Sequence, residues 1–349
     1  MLPMIRSYST VLLLFLTLAI QAQQKKVRVA LVGFYNLENL FDTVHTEGKN
    51  DYDFTPEGPY KYVGWIYRQK LDLLAEVISR IGTDVTPDGL ALFGVAEIEN
   101  GTVLHDLAQT ELLKARNYRH VHIEGPDERG IDVGLMYNPK YFRVLSQQSL
   151  YVQLPPNGKD AYYTRDVLHV KGILAGDTVH VFVNHWPSRR GGEERSQSSR
   201  AAAAMVGKIR IDSILAENPN AKILTMGDLN DDPVSPSVSE VLKAKGKIEE
   251  VKTTDLYNPW VNFYKKGIGT LAYQDSWGLF DQIILSGAWL DKSQKGFYYQ
   301  KATIFNEGFL IQKTGKFKGY PKRTWDGITF NYGYSDHFPV YITLFKNME

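Results

Sequence analysis

The chain has 349 residues, of which 43% are hydrophobic and 23% charged, and its 40 Lys and Arg nearly balance its 39 Asp and Glu. This composition allows a large core and argues against a mostly disordered chain. A formal net charge of +1 excludes a protein that holds nucleic acid by bulk positive charge alone, and the absence of cysteine excludes disulfides and thiolate metal sites.

The first residues are typical of an export signal. Arg6 precedes an apolar run from Val11 to Ile20, and Ile20-Gln21-Ala22 resembles a cleavage site. The run is shorter than the roughly 20 residues that a membrane-spanning helix needs. We therefore predict a signal peptide at 1–22, a single domain at 23–349 without a membrane span, and a periplasmic or secreted location. An uncleaved anchor and a buried first helix are the alternatives.

Apolar runs and helical spacing predict a chain of mixed strands and helices. Leu71, Leu74, Ala75 and Ile78 repeat at helical spacing after an ordered loop at 51–67. The predicted helices are 68–81, 105–116 and 198–217. The predicted strands are 27–35, 90–96, 131–137, 144–152, 167–174, 179–184, 223–226, 280–285 and 340–345. Several strands follow one another directly, which favours sheets covered by helices over a strict βαβ alternation.

Polar side chains occur where the predicted strands end, and a rigid scaffold presents functional groups to solvent at such positions. Carboxylate and amide oxygens without thiolates suit a hard cation such as Mg²⁺, or Mn²⁺ or Ca²⁺. Cleavage of a phosphodiester needs charge neutralisation, an activated water and a proton for the leaving oxygen. The residues that match these needs are Asn36 and Glu38, Glu97 and Glu99, Asn184 and His185, Asp228 and Asn230, and Asp336 and His337.

Six segments occur in the order of the signature blocks of the endonuclease/exonuclease/phosphatase superfamily, which the chain resembles. They are FYNLEN (34–39), GVAEIEN (94–100), VNHW (183–186), GDLNDDP (227–233), FDQI (280–283) and SDHFPV (335–340). The resemblance implies an α/β (α+β) four-layer sandwich of the DNase I-like kind, with two packed mixed β-sheets flanked by helices. It places the site between the tops of the two sheets.

The resemblance also implies the metal site. Glu97 is expected to be the principal metal ligand, with Asn36 and Asp336 assisting.

The same resemblance implies the catalytic residues. Asp228 is expected to orient or deprotonate the attacking water, and Asn230 to bind the phosphoryl oxygens. His185 and His337 are expected to flank the phosphate, with Asp281 orienting His337 and fixing its tautomer. Which histidine donates the proton to the leaving group stays open.

Three arginines are candidates for binding the substrate phosphate, because a guanidinium can hold a phosphate with two hydrogen bonds. They are Arg129, Arg165 and Arg189, with a solvated surface role as the alternative for each. The basic segment 313–323 contains Phe317 and Tyr320, which could stack on nucleobases. A solvated hairpin is the simpler interpretation of that segment.

The predicted function is an exported, divalent-metal-dependent phosphodiesterase that hydrolyses DNA or RNA. The segments 36–41, 96–100, 129–137 and 227–233 look most similar to extracellular bacterial nuclease-like members of the superfamily. A lipid or small-molecule phosphodiesterase of the sphingomyelinase kind is the first alternative, and a noncatalytic binding module on the same fold is the second. DNA against RNA, endo- against exonucleolytic cleavage, the physiological metal and the oligomeric state stay open.

Overall fold

The computed structural model describes residues 27–156 and 162–348, so the predicted signal peptide lies outside the described residues. The helices are α1 (Gly64–Arg80), α2 (Gly101–Gln109), α3 (Glu193–Glu217) and the short α4 (Val261–Tyr264). The strands are β1 (Val27–Leu40), β2 (Leu90–Ile98), β3 (Arg119–His122), β4 (Asp132–Tyr137), β5 (Phe142–Leu150), β6 (Val167–Leu174), β7 (Asp177–His185), β8 (Lys222–Asp228), β9 (Ala244–Lys245), β10 (Leu256–Tyr257), β11 (Leu271–Tyr273), β12 (Ser276–Gly278), β13 (Asp281–Ser286), β14 (Tyr298–Ile304), β15 (Trp325–Asp326), β16 (Thr329–Phe330) and β17 (Val340–Asn347).

Most of these strands form two mixed sheets. In the described part of the chain, the first sheet has six strands in the order β14-β17-β1-β2-β4-β3 and the second has seven in the order β5-β6-β7-β8-β13-β10-β9. β1 pairs in parallel with β2, and β7 pairs in parallel with β8, while their other pairings are antiparallel. Two small hairpins, β11-β12 and β15-β16, stand apart from the sheets.

The two sheets pack face to face, and helices cover their outer faces. Gly94 of β2 marks the close approach, because a Cβ atom there would lie only 2.9 Å from the Sδ of Met226 on β8. Leu74 and Ile78 of α1 pack in the core cluster that contains the first sheet, and Ala203 of α3 packs against the second. The predicted four-layer arrangement of two mixed sheets flanked by helices is confirmed.

The pattern of burial explains why the central strands read as continuous apolar runs. Every residue of β8 is buried, because α3 covers one face of its sheet and the first sheet covers the other. α1 instead alternates buried and solvated positions at helical spacing. A continuous apolar run therefore indicates an element buried on both faces, and an apolar residue at every third or fourth position indicates a helix buried on one face.

Several predicted boundaries were wrong at their first or last residues. α1 begins at Gly64 instead of residue 68, and α3 begins at Glu193 instead of residue 198. The predicted helix 105–116 is α2, which ends at Gln109 and begins at Gly101 because the Asn100 side chain caps it by accepting from the N–H groups of Thr102 and Val103. β1 continues to Leu40 rather than ending at residue 35. β14, which alternates weakly and carries exposed polar residues, was missed.

Candidate active site

β1 and β2 bring Asn36 and Glu97 together through an irregularity in each strand. The β1–β2 pairing changes register between Asn36 and Leu40, and the β2–β4 pairing changes register between Ala96 and Ile98. Glu97 lies in this second irregularity with a φ of 59°, which is uncommon for a residue other than glycine. Such a bulge re-aims a side chain, here toward Asn36, whose Nδ2 lies 3.3 Å from Glu97 Oε1.

Three strands of the second sheet place acidic and imidazole groups side by side. Asp228 at the end of β8 is the register partner of His185 on β7 and of Asp281 on β13. Register partners carry neighbouring side chains on the same face of a sheet. The predicted residues His185, Asp228 and Asp281 are therefore brought together by strand pairing alone.

The carboxylate of Asp228 contacts side chains from both sheets. Its Oδ2 accepts a hydrogen bond from Asn36 Nδ2 at 3.0 Å and lies 3.7 Å from His185 Nε2 and 3.9 Å from His337 Nε2. Its Oδ1 accepts from the backbone N–H of Asn230 at 3.0 Å. Burial raises the pKa of Asp228 to about 6, against the opposing effect of positive charge on His337. This carboxylate is suited to accept a proton near neutral pH.

His337 and Asp281 form a buried pair. His337 Nδ1 and Asp281 Oδ2 are 2.7 Å apart, and the Thr270 hydroxyl donates to the same oxygen at 2.5 Å. Burial alone would lower the pKa of His337, but the negative charges of Asp281 and Asp228 outweigh it and hold the pKa well above its ordinary value. Since Asp281 accepts at Nδ1, the Nε2–H of His337 faces Asp228.

His185 differs from His337 in its electrostatic surroundings. Burial lowers the pKa of His185 well below its ordinary value, and the positive charges of Arg165 and Arg129 act in the same direction. Its Nε2 lies 3.8 Å from Glu97 Oε1. Its buried Nδ1 has no hydrogen-bond partner among the described residues. The two histidines are thus held in opposite charge states, His185 neutral and His337 positive.

Asn230 and Asp336 also lie at this site. Asn230 has a φ of 48°, and its Nδ2 donates to the backbone carbonyl of Trp186 at 2.9 Å. The Asp336 carboxylate lies 4.0 Å from His337 Nε2 and accepts from Arg323 Nη2 at 2.9 Å. All the predicted catalytic residues and predicted metal ligands therefore gather around Asp228.

The donor groups fit a hard cation in their chemistry. Glu97 and Asp336 are the accessible carboxylates of the site, with 16% and 34% of their side chains exposed against 3% for Asp228. Among the described residues, no three His, Asp or Glu side chains form a ready-made metal cluster. Mg²⁺ commonly binds through one or two carboxylates and completes its shell with water and phosphate oxygens, so few protein ligands are needed.

Asn36 does not present its oxygen to such an ion in this structure. Its Oδ1 accepts from the backbone N–H of Glu38 at 2.9 Å, and its Nδ2 faces the carboxylates of Glu97 and Asp228. An amide nitrogen cannot ligate a cation, because its lone pair is delocalised. The observed role of Asn36 is to bridge the two carboxylates, and its role as a metal ligand stays a prediction.

The three predicted phosphate-binding arginines are separated by the fold. Arg165 is 3% exposed and donates to the carbonyls of His185 and Trp186 and to Asp127, so its role in phosphate binding stays a prediction. Arg189 is held by Asp231, Asp232 and Glu193 and lies over the Phe280 ring. Arg129 keeps 46% of its side chain exposed, 3.8 Å from Asp127. Arg129 therefore has the most exposed side chain of the three.

Two further residues of the site escaped sequence reasoning. Thr270, which holds Asp281, has no local signal because its partner lies on another strand. Arg323, which donates to Asp336, belongs to the basic segment 313–323, for which the sequence predicts no individual ion pair. Arg323 and Asp336 are more than ten residues apart in the sequence, and at that separation no sequence pattern predicts that two side chains pair.

The family model for the endonuclease/exonuclease/phosphatase family matches residues 31–346, which is most of the chain. The chain belongs to this family. Its members are hydrolases that act on phosphoester bonds, and they generally use divalent metal ions. No curated protein matches the sequence at a significant level.

Solved structures of the family share the fold at low sequence identity. An endonuclease/exonuclease/phosphatase family protein from Bacteroides thetaiotaomicron is 16% identical, with a TM-score of 0.57 over 93% of this chain and 100% of that one. A mannosyl-6-phosphatase from Bacteroides thetaiotaomicron VPI-5482 is 16% identical, with a TM-score of 0.54 over 90% of this chain and 99% of that one. D. rerio TDP2, complexed with single strand DNA product, is 15% identical, with a TM-score of 0.52 over 90% of this chain and 98% of that one.

Proposed function

We propose that this family member is a divalent-metal-dependent phosphodiesterase whose substrate is nucleic acid. The observation that carries the proposal is the convergence of Asn36, His185 and His337 on one carboxylate oxygen of Asp228. In this arrangement the Asp228 carboxylate can accept a proton from water, and the positive imidazole of His337 can stabilise the negative charge that develops on the phosphate.

In the proposed reaction, Asp228 takes a proton from the attacking water as the water oxygen bonds to phosphorus. The positive His337 is the proposed source of the proton for the leaving oxygen, whose bond to phosphorus breaks. His337, positive and oriented by Asp281, donates a hydrogen bond through its Nε2–H to the phosphate and offsets the charge that develops on its oxygens. The Asn230 side chain, at the same edge of β8, is the further candidate to bind a phosphoryl oxygen once it leaves the Trp186 carbonyl.

A divalent cation held by Glu97, with Asp336 and Asn36 as candidate partners, would supply neutralisation of the phosphate charge. Mg²⁺ is the proposed ion, with Mn²⁺ and Ca²⁺ as substitutes. The residues of this chain would position it: Asn39 fixes Glu97 by donating its N–H to Oε2 at 2.9 Å, and Arg323 fixes Asp336.

Nucleic acid is the proposed substrate for two reasons. The D. rerio TDP2 structure contains a single strand DNA product, and TDP2 shares this fold. Cationic and aromatic side chains also line the cavity beside Asp336 in this chain. The named mannosyl-6-phosphatase on the same fold makes a sugar phosphate monoester the competing substrate to include in any assay.

We further propose that the protein is exported by its first 22 residues, as the sequence predicts. Among the described residues, no helix is long and apolar enough to cross a membrane. Recovery of the protein outside the cytoplasm, with its amino terminus beginning after Ala22, would support this proposal, and recovery of the intact chain in the cytoplasm would contradict it.

The function is tested by incubating the purified protein with single-stranded DNA, plasmid DNA, RNA, sphingomyelin, bis-p-nitrophenyl phosphate and mannose 6-phosphate. Each reaction is run with Mg²⁺, Mn²⁺ or Ca²⁺ and with excess chelator, beside Asp228→Asn. Asp212→Asn is the matched control, because Asp212 is exposed on α3 and pairs only with Lys208. Metal-dependent cleavage of nucleic acid that is lost in Asp228→Asn alone is expected. Hydrolysis of only the sugar monoester or the lipid would reassign the substrate.

A further inference from the structure

A cleft adjoins the site described above and shares Arg323 and Asp336 with it. It has a volume of about 360 Å³ and is lined by Tyr273, Lys316, Phe317, Tyr320, Arg323 and Asp336, among others. Asp336 connects the two regions, because its Oδ1 lies 4.0 Å from His337 Nε2. A group attached to a phosphate at His337 therefore has this cleft next to it.

The walls of the cleft are held together by a specific contact. The β11-β12 hairpin turns at Gln274 and Asp275, which have φ values of 49° and 62°, a conformation that favours glycine. The Tyr320 hydroxyl donates to the Asp275 carboxylate at 2.6 Å and accepts from the Asp275 N–H at 2.7 Å. The turn is thus fixed to the segment 313–323 across the cleft, which gives the cleft a defined width.

The lining is aromatic, with little free charge. Tyr273 is 72% exposed, and the Phe317 and Tyr320 rings lie 5.8 Å apart. Asp275 is bound to Tyr320, and Asp336 is paired with Arg323. Lys316 has no acidic partner in the described residues, and its ammonium lies 5.5 Å from the centre of the Phe317 ring. The Arg323 guanidinium also lies 5.6 Å from the centre of the Phe317 ring. The cleft therefore offers the exposed Tyr273 ring, a Phe317 ring that cations already contact, and one cation without an acidic partner, Lys316.

The charge, the hydrogen bonding and the volume of the cleft favour one chemical class of ligand. Two cations and two carboxylates nearly cancel, so the cleft is not built for a polyphosphate or for a long stretch of backbone. A sugar ring would need several free hydrogen-bonding groups for its hydroxyls, whereas both cleft carboxylates are already bonded. A volume of about 360 Å³ lies at the small end of ligand sites, which run to roughly 300–1,000 Å³, and suits one planar ring with one phosphate.

We propose that this cleft binds one unpaired nucleobase of the substrate, stacked on Tyr273 and Phe317, with the phosphate of that nucleotide near Lys316. The assignment rests on the proposed function, since it identifies the group that flanks the cleaved phosphate. It deepens that function to a preference for single-stranded or frayed nucleic acid, because a paired base is not free to enter the cleft.

The first test compares two p-nitrophenyl phosphodiesters, the thymidine 5′-ester and the methyl ester, which share a leaving group and differ in the presence of a deoxyribose with its base. With Mg²⁺ or Mn²⁺, kcat/KM is expected to favour the thymidine ester by about tenfold or more, the range of one base stacked on an aromatic ring. Tyr273→Leu should reduce kcat/KM for the thymidine ester and leave kcat/KM for the methyl ester unchanged. Lys316→Gln, which removes a contact to the phosphate that both esters share, should reduce kcat/KM for both.

Matched controls exist for both variants. Lys318→Gln removes the same charge two residues from Lys316, and Tyr151→Leu changes another exposed tyrosine, directly after the edge strand β5 of the second sheet. Neither residue lines the cleft. Equal losses in the cleft variants and their controls, or no preference of the wild type for the thymidine ester, would overturn the assignment while leaving phosphodiester cleavage intact.

A second readout separates this proposal from the proposed function. Calorimetric binding of thymidine 5′-monophosphate is compared with that of ribose 5-phosphate, without turnover. Tighter binding of the thymidine nucleotide that is lost in Tyr273→Leu would support the nucleobase assignment of the cleft, even if the protein cleaves no nucleic acid. In that case the proposed phosphodiesterase function would be contradicted and the nucleobase assignment would not. Equal or tighter binding of the ribose phosphate overturns the nucleobase assignment.

Discussion

Asp281 of β13 lies directly opposite Asp228 of β8 in the antiparallel pairing of the second sheet. His337 joins the two carboxylates, with Nδ1 2.7 Å from Asp281 and Nε2 3.9 Å from Asp228. A positive imidazole between two acids relieves the repulsion that their pairing creates. The three residues therefore act as a unit, and effects of changing them are expected to be non-additive.

Asp281→Asn should lower kcat by about 100-fold or more and lower the pKa of His337. The substitution keeps the size of the side chain but removes the negative charge that supports the imidazolium and fixes its tautomer. Activity on bis-p-nitrophenyl phosphate and a proton NMR titration of His337 measure the two effects. If Asp281→Asn combined with His337→Gln is no worse than His337→Gln alone, the two residues work through one another, whereas multiplying losses would contradict the coupling.

Glu97→Gln should weaken Mg²⁺ or Mn²⁺ binding by about tenfold or more, since the neutral amide keeps the shape but loses the charge that a hard cation requires. Isothermal calorimetry on the protein without substrate measures this directly. Glu217→Gln, at the exposed end of α3, is the control. Unchanged affinity in Glu97→Gln would remove Glu97 from the metal site and leave the other carboxylates as candidates.

Arg165→Met should destabilise the fold by about 3–5 kcal/mol, because it leaves the buried carboxylate of Asp127 and two carbonyls without their donor. Arg129→Met should leave stability nearly unchanged and raise KM, since its side chain is the most exposed of the three arginines. Urea unfolding and steady-state kinetics on both variants distinguish the two roles. A stable Arg165→Met protein with a raised KM would support the assignment of Arg165 as a phosphate-binding residue.

The contribution of His169 and His180 to stability should fall as the pH is lowered from about 6.5 toward 4. Burial lowers the pKa of His169 to about 3 and that of His180 to about 4, with the charges of Arg210 and Lys171 acting in the same direction. In the unfolded chain both pKa values return to about 6.5. Below that pH the unfolded state binds protons that the folded state does not, so stability present above pH 6.5 is lost as the pH falls.

Urea unfolding at pH 7.5 and pH 5 measures this loss in the wild type, in His180→Gln and in the control His105→Gln, which changes an exposed histidine. His180→Gln should have a smaller pH dependence than the wild type. An equal dependence in both proteins would show that His180 does not contribute to the pH dependence of stability.

The sequence by itself determined the fold family and the residues proposed for the candidate site. β8 reads as an apolar run ending in Gly-Asp because its residues are covered on both faces, and the signature segments lie at strand ends that any member of the family must build. His185, Asp228, Asn230, Asp281 and His337 could be named in advance for this reason. Each of these residues lies within a signature segment, and the adjacent residues of that segment make it recognisable in the sequence.

Only the tertiary structure decided what each polar group faces. The charge states of His185 and His337 depend on arginines and acids that lie far away in sequence, at positions fixed by strand register. The same cause turned Arg165 inward, turned the amide nitrogen of Asn36 toward two carboxylates, and joined Tyr320 to Asp275 across the cleft. Hydrogen bonding and electrostatic interaction act over a few ångströms in space, and a sequence records distance only along the chain.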